Sequence, residues 1–378
     1  MIFAAVFGAL PLAIWIYLLA ARGLFWLMRE RDDRDEPQFD GPWPSVVAVV
    51  PARDEADVIA RSIGSLLQQD YPGDFRIVLV DDQSTDGTSA VARALNDDGK
   101  LQILSGAPRP HGWTGKLWAV KQGVAQADIA DYLWLTDADI AHTPENLRKL
   151  VARAKNDNLV LVSLMAKLHC KTFAERLLIP AFVFFFAMLF PFGWVNKKNS
   201  KIAAAAGGCI LVSRAALERA GGIDAIRHEI IDDCALARLM KKQGQIRLSL
   251  TNRALSLRPY EKIEDIRRMV ARSAYAQLDY SPLQLTGTLA GMFLLCVAPV
   301  IAALFSSGLA RIAGALTWLA MAIAFQPMLR FYKLSPFWGA ALPIIGALYA
   351  LFTLDSAIQF WRGRGGMWKG RVQAMTGA

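Results

Sequence analysis

Apolar positions along this chain follow two patterns. Near the ends they form long unbroken runs: Ile2 to Ala21, Leu283 to Leu309, Ile312 to Leu329 and Pro336 to Phe360. Each is long enough to cross about 30 Å of hydrocarbon as a helix. Between them, short β-rich runs alternate with helical periodicity. Val46 to Val50, Arg76 to Val80, Leu101 to Leu104 and Tyr132 to Thr136 read as strands; Asp57 to Gln69, Thr85 to Leu95 and Lys116 to Gln126 read as helices. This alternation predicts an α/β domain with a mostly parallel sheet covered by helices, in which ligands sit at the carboxyl ends of the strands.

The first apolar run has two readings, a cleaved signal peptide or a retained anchor. No Lys or Arg precedes it and the charges begin after it, at Arg22, which favours an anchor with its N-terminus outside. The domain expected over 45–280 is then cytoplasmic, reached through a linker over 29–44. Three complete C-terminal crossings would carry Arg362, Arg364, Lys369 and Arg371 of the tail over 363–378 outside, against the positive-inside rule. We therefore expect a multi-pass protein of the cell inner membrane with a cytoplasmic basic tail. One of the last runs is then re-entrant or interfacial, with Pro299, Pro327 or Pro343 providing the break. Asp355, inside the final run, marks either a functional polar site or a helix end. Leu177 to Val195, with Phe184-Phe185-Phe186 and the following Lys197, Lys198 and Lys201, reads as a buried helix or, preferably, as a segment dipping into an anionic membrane surface.

Composition agrees with membrane attachment. The 378 residues are 54% apolar, more than a soluble domain usually carries. The net charge of +9 is explained by lipid headgroups, since no basic helix or aromatic-interleaved patch suggests nucleic acid. Cys170, Cys209, Cys234 and Cys296 form neither a CxxC pair nor a His-spaced cluster, so zinc and a disulfide framework are not indicated and a reducing compartment fits.

Candidate chemistry lies at the strand ends. The run Tyr132 to Thr136 ends in Asp137-Ala138-Asp139, and the run to Val80 ends in Asp81-Asp82-Gln83-Ser84-Thr85-Asp86-Gly87. Acidic turns are common after strands, because Asp favours turns and helix caps. Two in one sheet suit a hard divalent cation that neutralises a diphosphate. The first strand-to-helix turn reads Pro51-Ala52-Arg53-Asp54-Glu55 rather than Gly-x-Gly-x-x-Gly, which disfavours a dinucleotide oxidoreductase, and GxxxxGK[ST] is absent, which disfavours a P-loop NTPase.

Taken in order, Pro51-Ala52-Arg53-Asp54-Glu55, Leu66-Leu67-Gln68-Gln69-Asp70-Tyr71-Pro72, Asp81-Asp82, Gly115-Lys116-Leu117-Trp118-Ala119 and Asp137-Ala138-Asp139 resemble the inverting family 2 glycosyltransferases of the GT-A fold. The resemblance runs from about Ser45 to Tyr280. It implies a Rossmann-like nucleotide-diphospho-sugar transferase domain flanked by transmembrane helices, a nucleotide-sugar donor, UDP-linked by preference, and Mg²⁺ or Mn²⁺.

The resemblance also implies roles. Pro51, Ala52, Arg53 and Glu55 would line the nucleobase and ribose pocket, and Asp82, with Asp81, would bond the base or ribose. Asp137 would face the ribose or the metal, and Asp139 would coordinate the metal. Lys116, which otherwise reads as a solvated surface lysine, matches a basic position near the diphosphate. Asp232-Asp233 begins an amphipathic helix and would by itself serve as a cap; the family places its general base at the last acidic residue of this motif, here Asp233, with Asp232 and the Gly207-Gly208 turn toward the acceptor. Processive members carry Gln-x-x-Arg-Trp where this chain reads Met269-Val270-Ala271-Arg272-Ser273. That argues against polymer synthesis and leaves Arg272 as a diphosphate ligand.

Gly112 to Ala119, Met269 to Leu278 and the anchor-domain-anchors layout are similar to the hopanoid-biosynthesis-associated glycosyltransferases, which implies a polycyclic lipid acceptor. The rival readings are transfer to a ceramide-like, carotenoid or polyprenyl lipid, and a catalytically silent membrane protein that binds a nucleotide.

Overall fold

The computed structural model describes residues 2–34, 37–95, 98–127, 130–366 and 369. Most of the basic tail expected over 363–378, including Arg371, lies outside the described residues. The chain forms two compact units. One comprises Glu30–His169 and Trp194–Pro259, the other Met1–Arg29, Cys170–Gly193 and Tyr260–Ala378.

The first unit is built on a sheet with strands β1 (Val46–Ala52), β2 (Phe75–Asp81), β3 (Leu101–Ser105), β4 (Tyr132–Leu135), β5 (Ile140–His142), β6 (Leu159–Lys167), β7 (Ile210–Ser213) and β8 (Gln245–Ser256). Their order across the sheet is β3-β2-β1-β4-β7-β6-β8-β5. The four predicted strands form its parallel half, as expected for apolar runs covered on both faces; every residue of β1 is buried. Pro51 is tolerated in this central strand because β1 pairs with β4 only as far as Val49, so the missing N–H is not needed. Helix Gly115–Ala125 lies directly on β1: a Cβ at Gly123 would come within 2.4 Å of Val49 Cγ1, so only glycine permits this approach.

The other half of the sheet is mixed. β7 runs antiparallel to both β4 and β6, β6 pairs with β8 in parallel, and β5 returns antiparallel on β8. The start of the expected linker is clipped to this half: Leu250 N–H donates to Glu30 O at 2.9 Å, Asp32 N–H donates to Leu250 O at 3.0 Å, and Arg253 pairs with Asp32 at 2.8 Å. The carboxyl ends of β1, β2 and β4 deliver Arg53, Asp82 and Asp137-Ala138-Asp139 to one edge.

The second unit is helical. Pro282–Phe305, Gly308–Phe331 and Pro336–Trp361 are long and apolar enough to cross a membrane. Helix Ile2–Ala21, with Pro11 inside it, is a weaker candidate. None of the three prolines expected to break a run interrupts its helix outright. Pro299 follows a π-turn at Phe293–Val297, Pro327 lies inside Gly308–Phe331, and Pro343 sits in the first turn of Leu342–Trp361. Trp15 Nε1–H donates to Leu295 O in the π-turn at 3.0 Å, satisfying a carbonyl displaced from the regular ladder.

Helix Phe173–Leu189 also belongs to this unit, and its centre departs from the surface-dipping expectation. Phe184 is fully buried, with ring centroids 5.3 Å from Phe25 and 5.2 Å from Phe325, because its aromatic face is covered by protein. Asp355 is a structural ion-pair partner: Arg267 bonds one carboxylate oxygen and Gln359 Nε2 donates to the other at 3.1 Å. Arg272 caps the C-terminus of helix Ile263–Ala271 in the same unit.

Candidate active site

Strand β4 stops at Leu135, and the acidic triplet turns immediately after it: Ile140 N–H donates to Asp137 O at 3.2 Å, and Ala138 is buried as the turn's inner residue. This leaves Asp137 and Asp139 half-buried, with different partners.

Asp137 joins a cluster drawn from four parts of the chain. Lys116, in the first turn of helix Gly115–Ala125, lies 2.8 Å from Asp137 Oδ1 and 3.0 Å from Asp232 Oδ2. Thr114 caps that helix by accepting from Leu117 N–H, which sets the lysine's direction. Asp233, beside Asp232 at the start of helix Asp232–Lys241, accepts from the Gly207 N–H at 2.9 Å and from its neighbour Cys234 N–H at 2.7 Å. Gly207 sits close to both groups: a Cβ there would lie a tight 3.2 Å from Lys116 Nζ and an ordinary 3.5 Å from Asp233 Oδ2. Pro51 lines the same cleft.

The electrostatics of this cluster are unequal. Burial opposes the charge of Lys116, but Asp137, Asp232 and then Asp233 outweigh it and hold the ammonium's pKa far above its ordinary value. Burial, with the like charge of Asp232, pushes the Asp233 carboxyl up to about 6 against the attraction of Lys116. Asp233 is therefore ionised near neutral pH yet basic enough to take a proton.

The expected nucleotide-binding turns are stitched to one another. Asp54 Oδ1 accepts from Thr85 N–H at 2.8 Å, Thr88 Oγ1 accepts from Glu55 N–H at 2.8 Å, and Asp86 Oδ2 accepts from Ala56 N–H at 2.9 Å. Asp82 is buried, its N–H donating to Ala52 O at 2.8 Å and its carbonyl accepting from Arg53 Nη1. Asp81 is spent on the turn itself: its two carboxylate oxygens accept from Ser84 N–H and Ser89 Oγ. Gly208 serves packing, since a Cβ there would meet Ala166 and Ile140 at 3.2 Å.

Two groups escaped the reading of motifs. Arg258, just beyond β8, donates from Nε to Asp139 Oδ2 at 3.0 Å and from Nη2 to Glu55 Oε2. Beneath the acidic turn, Thr136 Oγ1 donates to Gly208 O at 2.9 Å and lies 2.8 Å from His142 Nε2; Asn146 Nδ2 lies 3.1 Å from His142 Nδ1. With the amide as donor and the threonine proton used on Gly208, these partners assign the Nε2–H tautomer. Burial pushes His142 down to about 3, so it stays neutral, joining the β4 end to the Gly207-Gly208 turn. The sequence signals were a lone arginine after a long strand and a histidine six residues beyond a threonine, neither distinctive.

Among the described residues no three His, Cys, Asp or Glu side chains converge as a preformed metal cage. Asp139 already faces a cation, the Arg258 guanidinium, while Asp137 is engaged by Lys116. One or two carboxylate oxygens without a cage fit a hard divalent ion that draws its remaining ligands from phosphate and water.

The sheet, its helices and the carboxyl-edge site constitute an α/β, Rossmann-like GT-A fold with C-terminal helices that could span a membrane. Residues 47–221 match the family described as Glycosyl transferase family 2. A stretch of 132 residues is 32% identical to the beta-monoglucosyldiacylglycerol synthase of Synechocystis sp.; the match covers 33% of this chain and 27% of that relative's length. In three dimensions the chain resembles the mannosyltransferase PcManGT from Pyrobaculum calidifontis, solved with GDP-Man and Mn²⁺, with a TM-score of 0.51 and 20% identity over 93% of this chain and 99% of that one. At that identity the likeness concerns the fold.

Proposed function

We propose that the protein is a membrane-bound, inverting glycosyltransferase that moves a sugar from a nucleotide-diphosphate donor, UDP-linked by preference, to a lipid acceptor of the hopanoid type. The observation that carries this reading is Asp233: a carboxylate with a raised pKa, held by the Gly207 amide beside Lys116, at the carboxyl edge of a sheet that matches glycosyl transferase family 2. A lipid acceptor is supported by the three apolar helices and by a relative whose name gives a glucosylated diacylglycerol as product. The hopanoid assignment rests on the motif resemblance, and a cytoplasmic catalytic unit on the distribution of charge around the apolar runs.

In this mechanism the acceptor hydroxyl oxygen attacks the anomeric carbon as the bond to the donor phosphate oxygen breaks. Asp233 takes the hydroxyl proton, and the nucleoside diphosphate departs from the opposite face, so the anomeric centre inverts. The stitched turns carrying Arg53, Glu55 and Asp82 hold the nucleotide, and Lys116 offers its charge to the diphosphate. Three carboxylates around one ammonium leave the cluster net negative, which repels a bare diphosphate. Mg²⁺ or Mn²⁺ on Asp139, with Asp137 beside it, would supply the charge that stabilises the leaving phosphate.

The test is to incubate the detergent-purified protein with a panel of nucleotide sugars and Mg²⁺ or Mn²⁺, together with hopanoid, diacylglycerol or polyprenyl lipid, and to follow released nucleotide and lipid mass. A sugar increment on the hopanoid is expected. An increment on another lipid alone would replace the acceptor, and no turnover with any donor would sink the enzymatic reading.

A further inference from the structure

Arg258 is placed with unusual definition for a residue outside a strand. Ile140 pairs with Ser256, and Leu257 N–H donates to Asp139 O at 2.8 Å, so the backbone leading to Arg258 is bonded to the acidic turn itself. From there the guanidinium forks between carboxylates from two strand ends, Asp139 after β4 and Glu55 after β1. Glu55 is 7% exposed and requires a counter-ion to remain charged at that depth. Asp139 is more open, its side chain 21% exposed, so an ion from solvent can reach it.

In the proposed mechanism Asp139 is the carboxylate that takes the divalent cation, and the role of Arg258 rests on that reading. A guanidinium and a metal ion carry like charge and repel each other when both sit on one carboxylate. We infer that Arg258 is a resident counter-ion of the donor-free protein, holding Asp139 and Glu55 together until a divalent cation binds Asp139 and displaces the guanidinium from it. Metal alone meets the charge of the guanidinium and competes with its charge-assisted hydrogen bond, so it binds weakly. Metal accompanied by a diphosphate brings its own ligands and binds well. Arg258 thereby makes metal binding depend on the donor, and acts as a positioning residue rather than a catalytic one.

The test is a titration of the whole detergent-purified chain with Mn²⁺ in the absence of nucleotide, with free Mn²⁺ read from its EPR signal. Arg258→Ala is expected to bind Mn²⁺ roughly tenfold more tightly than the unaltered protein, the scale of one lost hydrogen bond to a charged group. Asp139→Asn in the same background should abolish that gain. Arg258→Lys, which keeps a charge but cannot span both carboxylates, should fall between, and it serves as the measurement if the alanine variant does not fold. If removing the guanidinium leaves Asp139-dependent Mn²⁺ binding no tighter, Arg258 does not compete with the metal and this inference fails while the metal assignment stands. If no form binds Mn²⁺ through Asp139 even with UDP or GDP added, the metal assignment fails and takes the inference with it.

Discussion

Gly207 donates its backbone N–H to Asp233 Oδ2 at 2.9 Å, with the Lys116 ammonium so near that any side chain on residue 207 would press against it. The small turn before β7 therefore sets where the proposed base sits, while burial and Asp232, opposed by the lysine, set how basic it is.

Asp233→Asn should retain the Gly207 hydrogen bond through its carbonyl oxygen while losing the ability to take a proton. We expect transfer to fall by about 10² to 10⁴ with donor binding preserved. Calorimetric titration with the nucleoside diphosphate, beside turnover by lipid mass, checks the split; a purified variant with normal turnover would remove Asp233 from the mechanism.

The same substitution has a signed effect on stability. The folded-state pKa of Asp233, about 6, lies above its ordinary 3.8, so the folded protein holds this proton more tightly than the unfolded chain. Stability is thus lost as pH rises through that window. Asp233→Asn should raise the melting temperature at about pH 7.5 and lose that advantage near pH 4. Melting curves at the two pH values decide it.

The rate of transfer should rise with pH along a limb near pH 6 as Asp233 ionises. Asp232→Asn removes the like charge and should move the limb to lower pH, whereas Lys116→Met removes the attraction and should move it higher. Shifts in the same direction would show that the limb does not belong to Asp233.

Gly207→Ala should cost up to roughly tenfold in kcat, because the added methyl presses the Lys116 ammonium aside by a few tenths of an ångström. An unchanged melting temperature with a reduced kcat would place the damage in the site.

His142→Ala leaves Thr136 and Asn146 without their shared partner and opens space beside Trp134, whose ring centroid lies 4.5 Å away. A loss of about 2–4 kcal/mol in stability is expected. Denaturant unfolding measures it; because burial keeps the folded imidazole neutral while the unfolded one protonates below its ordinary 6.5, the loss should be full near pH 8 and shrink as pH falls toward about 5.

Much of the scaffold was legible from local pattern. Val46 to Val50 and Tyr132 to Thr136 are strands because continuous β-rich apolar runs bounded by turn residues have few other solutions, and the long terminal runs become helices for the same kind of reason. Asp137, Asp139, Asp232 and Asp233 were recognisable because acidic residues cluster in short motifs at element ends.

The partners of those residues were not legible. Asp232 meets Lys116 because β7 inserts antiparallel beside β4, and Arg258 reaches Glu55 across 203 residues because β5 folds back on β8. Phe184 turned inward for a related reason, since periodicity gives the apolar face of a helix but not what covers it. The amino-acid sequence by itself determined which segments form strands and helices and which ends carry charge, because those depend on neighbours a few residues away. Only the tertiary structure decided which carboxylate has a lysine, which has an arginine and which carries a raised pKa, because Coulomb energy and desolvation depend on distance in space and on burial, and both follow from strand order.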